Sequence, residues 1–207
     1  MTAVERLVQD AAALHVPLTP SAAARLLELT GELARWNERY NLTAIRGEAQ
    51  MITHHLLDSL SIHPDLAGTR IADAGTGAGF PGLPLALVNP QRHFTLIDST
   101  AKKLRFVSAA AQQLGLDNVE VLHGRLEQLP GAPTFDTVVA RACAPLPRLL
   151  RLVAPLCTEA TRVLAMKGKW PQEELEALPA GWQVSAARRL SVPGLNAERC
   201  LIALARR

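Results

Sequence analysis

The chain has few aromatic residues, eight in 207 (three Trp, one Tyr, four Phe). No stacking platform of the kind that RNA-binding sheets use for single strands is evident. Its three cysteines, Cys143, Cys157 and Cys200, are an odd number and form no C-x-x-C pair. Neither a disulfide framework nor a cysteine zinc site is indicated. His54 and His55 invite a metal reading, but neighbours on a helix point in different directions and no other ligand set has zinc spacing. No metal is expected. No run approaches the ~18 apolar residues that span a bilayer. The opening MTAVERLVQDAAALHV lacks the basic-then-apolar order of a signal peptide. There is no internal repeat and no low-complexity tract. These absences leave a reduced, cytoplasmic enzyme or binding protein as the expectation, with no membrane partner.

The composition is that of a folded chain. Apolar residues make up 48% and charged residues 20%, near the averages for globular proteins, which excludes general disorder. A length of 207 residues fits one ordinary domain plus a small extension and needs no covalent staple. The 22 basic and 19 acidic side chains give a net charge of +3, unevenly placed. Residues 1–70 hold six basic and eight acidic groups, whereas Arg92 to Lys169 holds eleven and six. A polyanionic partner would therefore meet the middle of the chain.

Two rhythms divide the sequence. Residues 1–64 read as a helical N-terminal extension: a first helix over about 2–15, then Thr19-Pro20 as N-cap and first helical residue of a second. Leu26, Leu27, Leu29, Leu33 and Trp36 fit one helical face, and a third helix holds Ile52, Leu56, Leu57 and Leu60. From 65 to 207, short apolar runs alternate with helical stretches. RIAD, HFTLID, VEVL, FDTVVA and RVLAMKG are each followed by a helix, and WQVSAARRL and RCLIALAR close the chain as successive strands. This predicts an α/β fold, a doubly wound and mostly parallel seven-stranded sheet with one antiparallel edge strand.

The loop Asp73-Ala74-Gly75-Thr76-Gly77-Ala78-Gly79-Phe80-Pro81-Gly82 follows the first strand. Ligands of open α/β sheets bind at the carboxyl ends of the strands, so a cofactor site belongs here. Gly75, Gly77 and Gly79 let the backbone turn and approach a ligand closely. A dinucleotide site wants G-x-G-x-x-G, with its third glycine where this chain has Phe80, and Pro81 removes an N–H that a pyrophosphate would use. An acid just before the glycines suits S-adenosylmethionine, which has no phosphate; Asp73 would accept from its ammonium or a bridging water. Asp98, 19 residues past Gly79, suits the ribose hydroxyls of either cofactor and does not decide between them.

DAGTGAGFPGLPLA, LIDSTAKKLRF, VVARACAPL and LAMKG together, with WNERYNLTAI and HHLLDSL before them, resemble the bacterial RsmG (GidB-type) small-subunit ribosomal RNA guanine-N7 methyltransferases. The resemblance runs from Trp36 to Lys169 in the family's order. It implies a class I methyltransferase sheet, S-adenosylmethionine as donor, and a guanine of 16S rRNA near the decoding centre as target, in free RNA or the 30S subunit. Carried over, the family's cofactor contacts fall on Gly75, Phe80, Asp98, Ser99, Thr100, Leu126, Glu127 and Arg141. The family commonly has Arg-His where this chain has His54-His55.

The chemistry agrees. Guanine N7 carries an in-plane lone pair and no proton, so direct in-line transfer needs no general base and rests on proximity and electrostatics, with Arg141 a candidate electrostatic group. No N/D-P-P-Y/F element, which positions an exocyclic amine, follows strand four. Cys143 lacks the preceding proline of cysteine-dependent cytosine chemistry and reads as a buried small side chain. Lys167 and Lys169, with Lys102, Lys103, Arg105 and Arg125, form a candidate phosphate track on one rim, and Lys167, Lys169 and Arg141 are expected to border the transferred methyl. Asn41 and Asp58 read as turn and cap groups bracing the extension. Two other classes remain open here, a non-catalytic nucleotide-binding module docked on RNA and an NAD-dependent oxidoreductase. A monomer is expected.

Overall fold

The computed structural model describes residues 1–129 and 134–207. The extension starts with α1 (Ala3–Ala13), opened by a capping box in which Thr2 and Glu5 satisfy each other's backbone N–H. Helix α2 (Pro20–Tyr40) is capped by Thr19, whose hydroxyl accepts from Ala22 N–H, and it ends at Asn41 in the left-handed conformation (φ 48°). The third helical segment is not uniform. Short α-helical pieces α3 (Glu48–Met51) and α4 (Asp58–Leu60) flank a π-helical stretch over Ile52–Leu57.

The remainder alternates: β1 (Arg70–Ala74), α5 (Gly82–Val88), β2 (His93–Asp98), α6 (Ala101–Gln113), β3 (Val119–His123), β4 (Phe135–Arg141), α7 (Leu146–Val153), β5 (Cys157–Lys167), α8 (Gln172–Glu176), β6 (Trp182–Arg189) and β7 (Cys200–Arg206). The seven strands lie in the order β3-β2-β1-β4-β5-β7-β6. β1 to β5 run parallel and β7 runs antiparallel to both its neighbours. The doubly wound, mostly parallel sheet is therefore as expected, with one correction. The antiparallel strand is β7, inside the sheet, and the edge strand is β6. The physical reason is legible in hindsight: CLIAL of β7 is buried on both faces, whereas β6 is exposed beyond Trp182. A continuous apolar run belongs between two strands, and a polar, arginine-bearing run tolerates the edge.

Strand alternation sorts the core into two clusters. Leu164 and Met166 of β5 pack with Phe94, Leu96, Val139 and the apolar faces of α1, α2, α5 and α6. Val163 and Ala165 face the opposite side, with Val138, Ile202, Leu204, Trp182 and the leucines of α7. Leu26, Leu29 and Leu33 of α2 are wholly buried in the first cluster, so the extension shares its core with one face of the sheet. The strand order, not the strand direction, reverses between β1 and β4, which opens a crevice at their carboxyl ends, the switch point of such folds.

Candidate functional site: two joined cavities at the switch point

The glycine loop covers this crevice. Gly75, Gly77 and Gly79 all have positive φ (72°, 60° and 86°), but they serve different ends. A Cβ at Gly75 would stand 2.9 Å from Cys143 Sγ, and one at Gly79 would run into the Leu83 side chain. A Cβ at Gly77 would meet nothing, so that backbone lies open to the cavity. Below the loop, Asp73 is completely buried. Its Oδ2 accepts from Thr76 Oγ1 (2.6 Å) and from Gly82 N–H (2.8 Å), which ties the turn to the start of α5. Its Oδ1 is buried without a partner among the described residues. Burial pushes its pKa up to about 6, against the hydrogen bonds from Thr76 and Gly82.

A cavity of about 660 Å³ opens over the loop. Its lining brings together Gly75, Gly77, Phe80, Asp98, Ser99, Thr100, Leu126, Glu127 and Arg141, with Lys103 and Arg125. Asp73 and Gly79 lie outside this lining and support the loop from beneath. The two oxygens of Asp98 accept from Gly77 N–H (2.9 Å) and Thr100 N–H (2.8 Å); a carboxylate has further lone pairs for diol hydroxyls. Cys143 also borders the cavity. Burial, then the nearby Asp73 and Asp98 carboxylates, raises its pKa, which disfavours a thiolate nucleophile.

A second cavity, about 650 Å³, adjoins the first across His55, Arg141 and Ala142, which line both. The π-helical stretch delivers His55 to this shared wall, in keeping with the frequent placement of such turns at functional sites. His55 stacks on Phe80 (centroids 4.7 Å apart), and its Nε2 lies 3.0 Å from Thr43 Oγ1. Its Nδ1 lies 3.4 Å from an Arg141 nitrogen that can only donate, an arrangement that suits the tautomer with its proton on Nε2. Burial, then the Arg141 charge, lowers its pKa to about 4, so the ring is neutral. Arg141 Nη1 donates to His54 O (2.8 Å) and to Asp58 Oδ2 (3.1 Å), and Arg199 Nε donates to Asp58 Oδ1 (2.9 Å). Asp58 thus does more than cap a helix: it bolts the extension to β4 and to the residue before β7. Ala142 takes positive φ (51°) without being glycine, a strained geometry that concentrates at functional sites.

The proposed basic track divides. Lys103 and Arg125 line the first cavity. Lys102 and Arg105 are exposed on α6, with Lys102 Nζ over the Tyr40 ring. Lys167 and Lys169 line the second cavity, and of the three groups expected at the methyl only Arg141 reaches the first. Lys169 is exposed, but Lys167 is drawn inward, paired with Glu174 Oε2 (2.8 Å) and donating to Ala144 O (3.3 Å). Sequence reasoning missed the shared wall and, in the second cavity, Trp170, Glu174 and Arg199. Positive φ at Ala142 has no sequence signature, Arg199 lies 25 residues beyond Glu174, and nothing local marks Trp170 or Glu174 as facing a cavity. Among the described residues no cluster of three or more His, Cys, Asp or Glu gathers as a metal site, and no helix is long and apolar enough to cross a membrane.

This strand order, with its crevice at the carboxyl ends of β1 and β4, is the sheet of the class I methyltransferase fold. The fold is similar to a SAM-dependent methyltransferase from Aquifex aeolicus (TM-score 0.57, 23% identity, 75% of this chain and 93% of that one). It is also similar to TrmN from Thermus thermophilus (TM-score 0.57, 24% identity, 83% and 53%). By sequence, residues 22–202 match the family model for rRNA small subunit methyltransferase G. The chain is 45% identical to the Ribosomal RNA small subunit methyltransferase G of Marinobacter nauticus, over 94% of this chain and 91% of that protein. It is 41% identical to that of Cronobacter sakazakii, over 99% and 97%. The chain belongs to the rRNA small subunit methyltransferase G family.

Proposed function

We propose that this protein transfers a methyl group from S-adenosylmethionine to N7 of a guanine in 16S rRNA near the decoding centre, directly and in line, in the cytoplasm. The residues fit the donor. Asp98 offers carboxylate oxygens for the ribose, Leu126 and Glu127 flank a place for the adenine, the unpaired Asp73 Oδ1 is a buried acceptor suited to the ammonium or a bridging water, and the open face at Gly77 admits close approach. When bound, S-adenosylmethionine supplies an electrophilic methyl on a cationic sulfur.

The observation that carries the reading is the shared wall. Two cavities, each of nucleotide size, meet at His55, Arg141 and Ala142, so a donor in one and an acceptor base in the other would face each other. The groups at that wall hold and orient. Arg141 is locked by Asp58 and His54, and His55 is neutral, its Nδ1 beside a guanidinium and its Nε2 proton shared with Thr43. A wall whose His55 and Arg141 are both engaged suits an acceptor atom that carries no proton. Lys102, Lys103, Arg125 and Lys169 would hold RNA phosphates, and the extension (1–64) would act as one wall of the site beside the methyltransferase domain (65–207).

The deciding experiment incubates the protein with unmodified 30S subunits or free 16S rRNA and labelled donor, then maps the modified base. One N7-methylguanine in 16S rRNA is expected. Cys143→Ala should retain most activity with no covalent protein–RNA adduct. Methylation of another base, or of guanine at another atom, overturns the reading.

A further inference from the structure

The Lys167–Glu174 pair sits in the second cavity with hydrogen-bonding capacity left over. Glu174 Oε2 stands 2.8 Å from Lys167 Nζ as an ion pair and accepts from Leu146 N–H (2.6 Å), while its Oε1 has no partner among the described residues. Lys167 Nζ has three protons; it donates to Ala144 O (3.3 Å) and is ion-paired with Glu174, which leaves it donor capacity. The other acid of this cavity, Asp58, has both oxygens engaged by Arg141 and Arg199. One donor with capacity to spare and one free carboxylate oxygen therefore belong to a single half-buried ion pair, its side chains 17% and 27% exposed. Trp170, which packs against the core and lines the same cavity, adds an aromatic wall.

We propose that this pair reads the target base as guanine, with Lys167 donating to O6 and Glu174 accepting from N1–H. Resting on the function proposed above, this inference adds a base-reading site to it. A donor beside an acceptor complements guanine, whose O6 acceptor adjoins its N1–H donor. Adenine presents the reverse order, an N6 donor beside an N1 acceptor, and would set donor against donor and lone pair against lone pair. With O6 and N1–H engaged deep in the cavity, N7 lies on the neighbouring ring edge, free to face the Arg141–Ala142 wall and the first cavity. Lys167 thereby serves the base and leaves the phosphates to the exposed cations.

The test uses two variants with different liabilities. Glu174→Gln keeps an oxygen for Leu146 N–H and puts an amide donor where the free oxygen was, and Lys167→Met keeps the stem without the donor. Nucleotide binding to the S-adenosylhomocysteine complex is followed by ligand-observed NMR with guanosine and adenosine 5′-monophosphates, and methyl transfer is followed on 30S subunits. The wild-type protein should prefer the guanosine nucleotide, and both variants should lose that preference while S-adenosylhomocysteine affinity stays within about twofold. Turnover on 30S subunits at limiting substrate should fall roughly 10- to 100-fold, the range for losing a paired base contact. Equal binding of the two nucleotides by wild type, or variants that keep preference and turnover, overturns the inference. The nucleotide preference is independent of methyl transfer. A wild-type protein that prefers guanosine yet methylates no guanine sinks the functional reading alone.

Discussion

Asp73 and His55 are buried titratable groups whose shifts run in opposite directions, and each has a measurable consequence. Asp73 is raised from 3.8 to about 6, mainly by burial. Between those values the folded protein holds a proton that the unfolded chain has lost, so Asp73 makes stability fall as pH rises through this window. His55 is lowered from 6.5 to about 4, mainly by burial. There the unfolded chain binds the extra proton, and stability rises with pH. The two slopes oppose each other between about pH 4 and 6. Asp73→Asn should therefore give a steeper rise of stability with pH than wild type, measured by urea unfolding at a series of pH values. Ionised Asp73 is also the form that attracts an ammonium, so S-adenosylhomocysteine affinity should weaken as pH falls through about 6, and Asp73→Asn should flatten that step in calorimetry. An unaltered step would remove Asp73 from cofactor binding. At the loop, Gly75→Ala combines a left-handed φ with a close approach to Cys143 Sγ. A loss of about 1–3 kcal/mol is expected, and Cys143→Ala in the same chain should recover the steric share. Equal losses in the single and double variants would leave the backbone alone responsible.

The helical segment at Glu48–Leu60 and the ends of β4 and β7 are joined by one carboxylate. Asp58 is 1% exposed and pairs with Arg141, 83 residues away, and with Arg199, 141 residues away. Removing one partner of a buried ionic cluster leaves uncompensated charge, at about 3–5 kcal/mol. Asp58→Ala should lose about that much in denaturant unfolding and should weaken both cofactor binding and turnover, because Arg141 would no longer be held at the shared wall. A loss under about 1 kcal/mol would mean that the cluster is solvated and contributes little. The π-helical stretch follows the same logic. Its altered winding sets His55 against Phe80 while Asp58 still reaches the arginines, and the apolar positions Ile52, Leu56, Leu57 and Leu60 give no hint of it in the sequence.

Across the whole molecule, α1 and α2 complete the core on one face of the sheet. Trp36 of α2 packs edge-on against Phe106 of α6 (centroids 5.7 Å apart), while Trp182 of β6 lies in the cluster on the opposite face. Variants keeping only one of these tryptophans should unfold at the same midpoint as the far-UV circular dichroism, in a single transition. A fragment of residues 65–207 should expose the apolar surface that Leu26, Leu29 and Leu33 cover, and should aggregate or unfold without cooperativity. An earlier, separate transition at Trp36 would instead make the extension an independent unit.

Strand and helix identities were readable from local pattern, because periodicity and capping are properties of neighbouring residues: Thr19-Pro20 did start α2, and the apolar runs from RIAD onward did become strands. The glycine loop after β1 and Asp98 at the end of β2 were readable for the same reason, since a tight turn at a strand end is short-range chemistry. The place of β7 inside the sheet was written in its unbroken apolar run, but only pairing with β5 and β6 settled it. The second cavity had no local signature. His54, Asp58, Arg141, Lys167, Trp170, Glu174 and Arg199 come from four separate segments, and their distances and unused hydrogen bonds exist only once the sheet has folded and the extension has docked on it. Residue types set which chemistry was available; long-range packing decided which groups were left free to perform it.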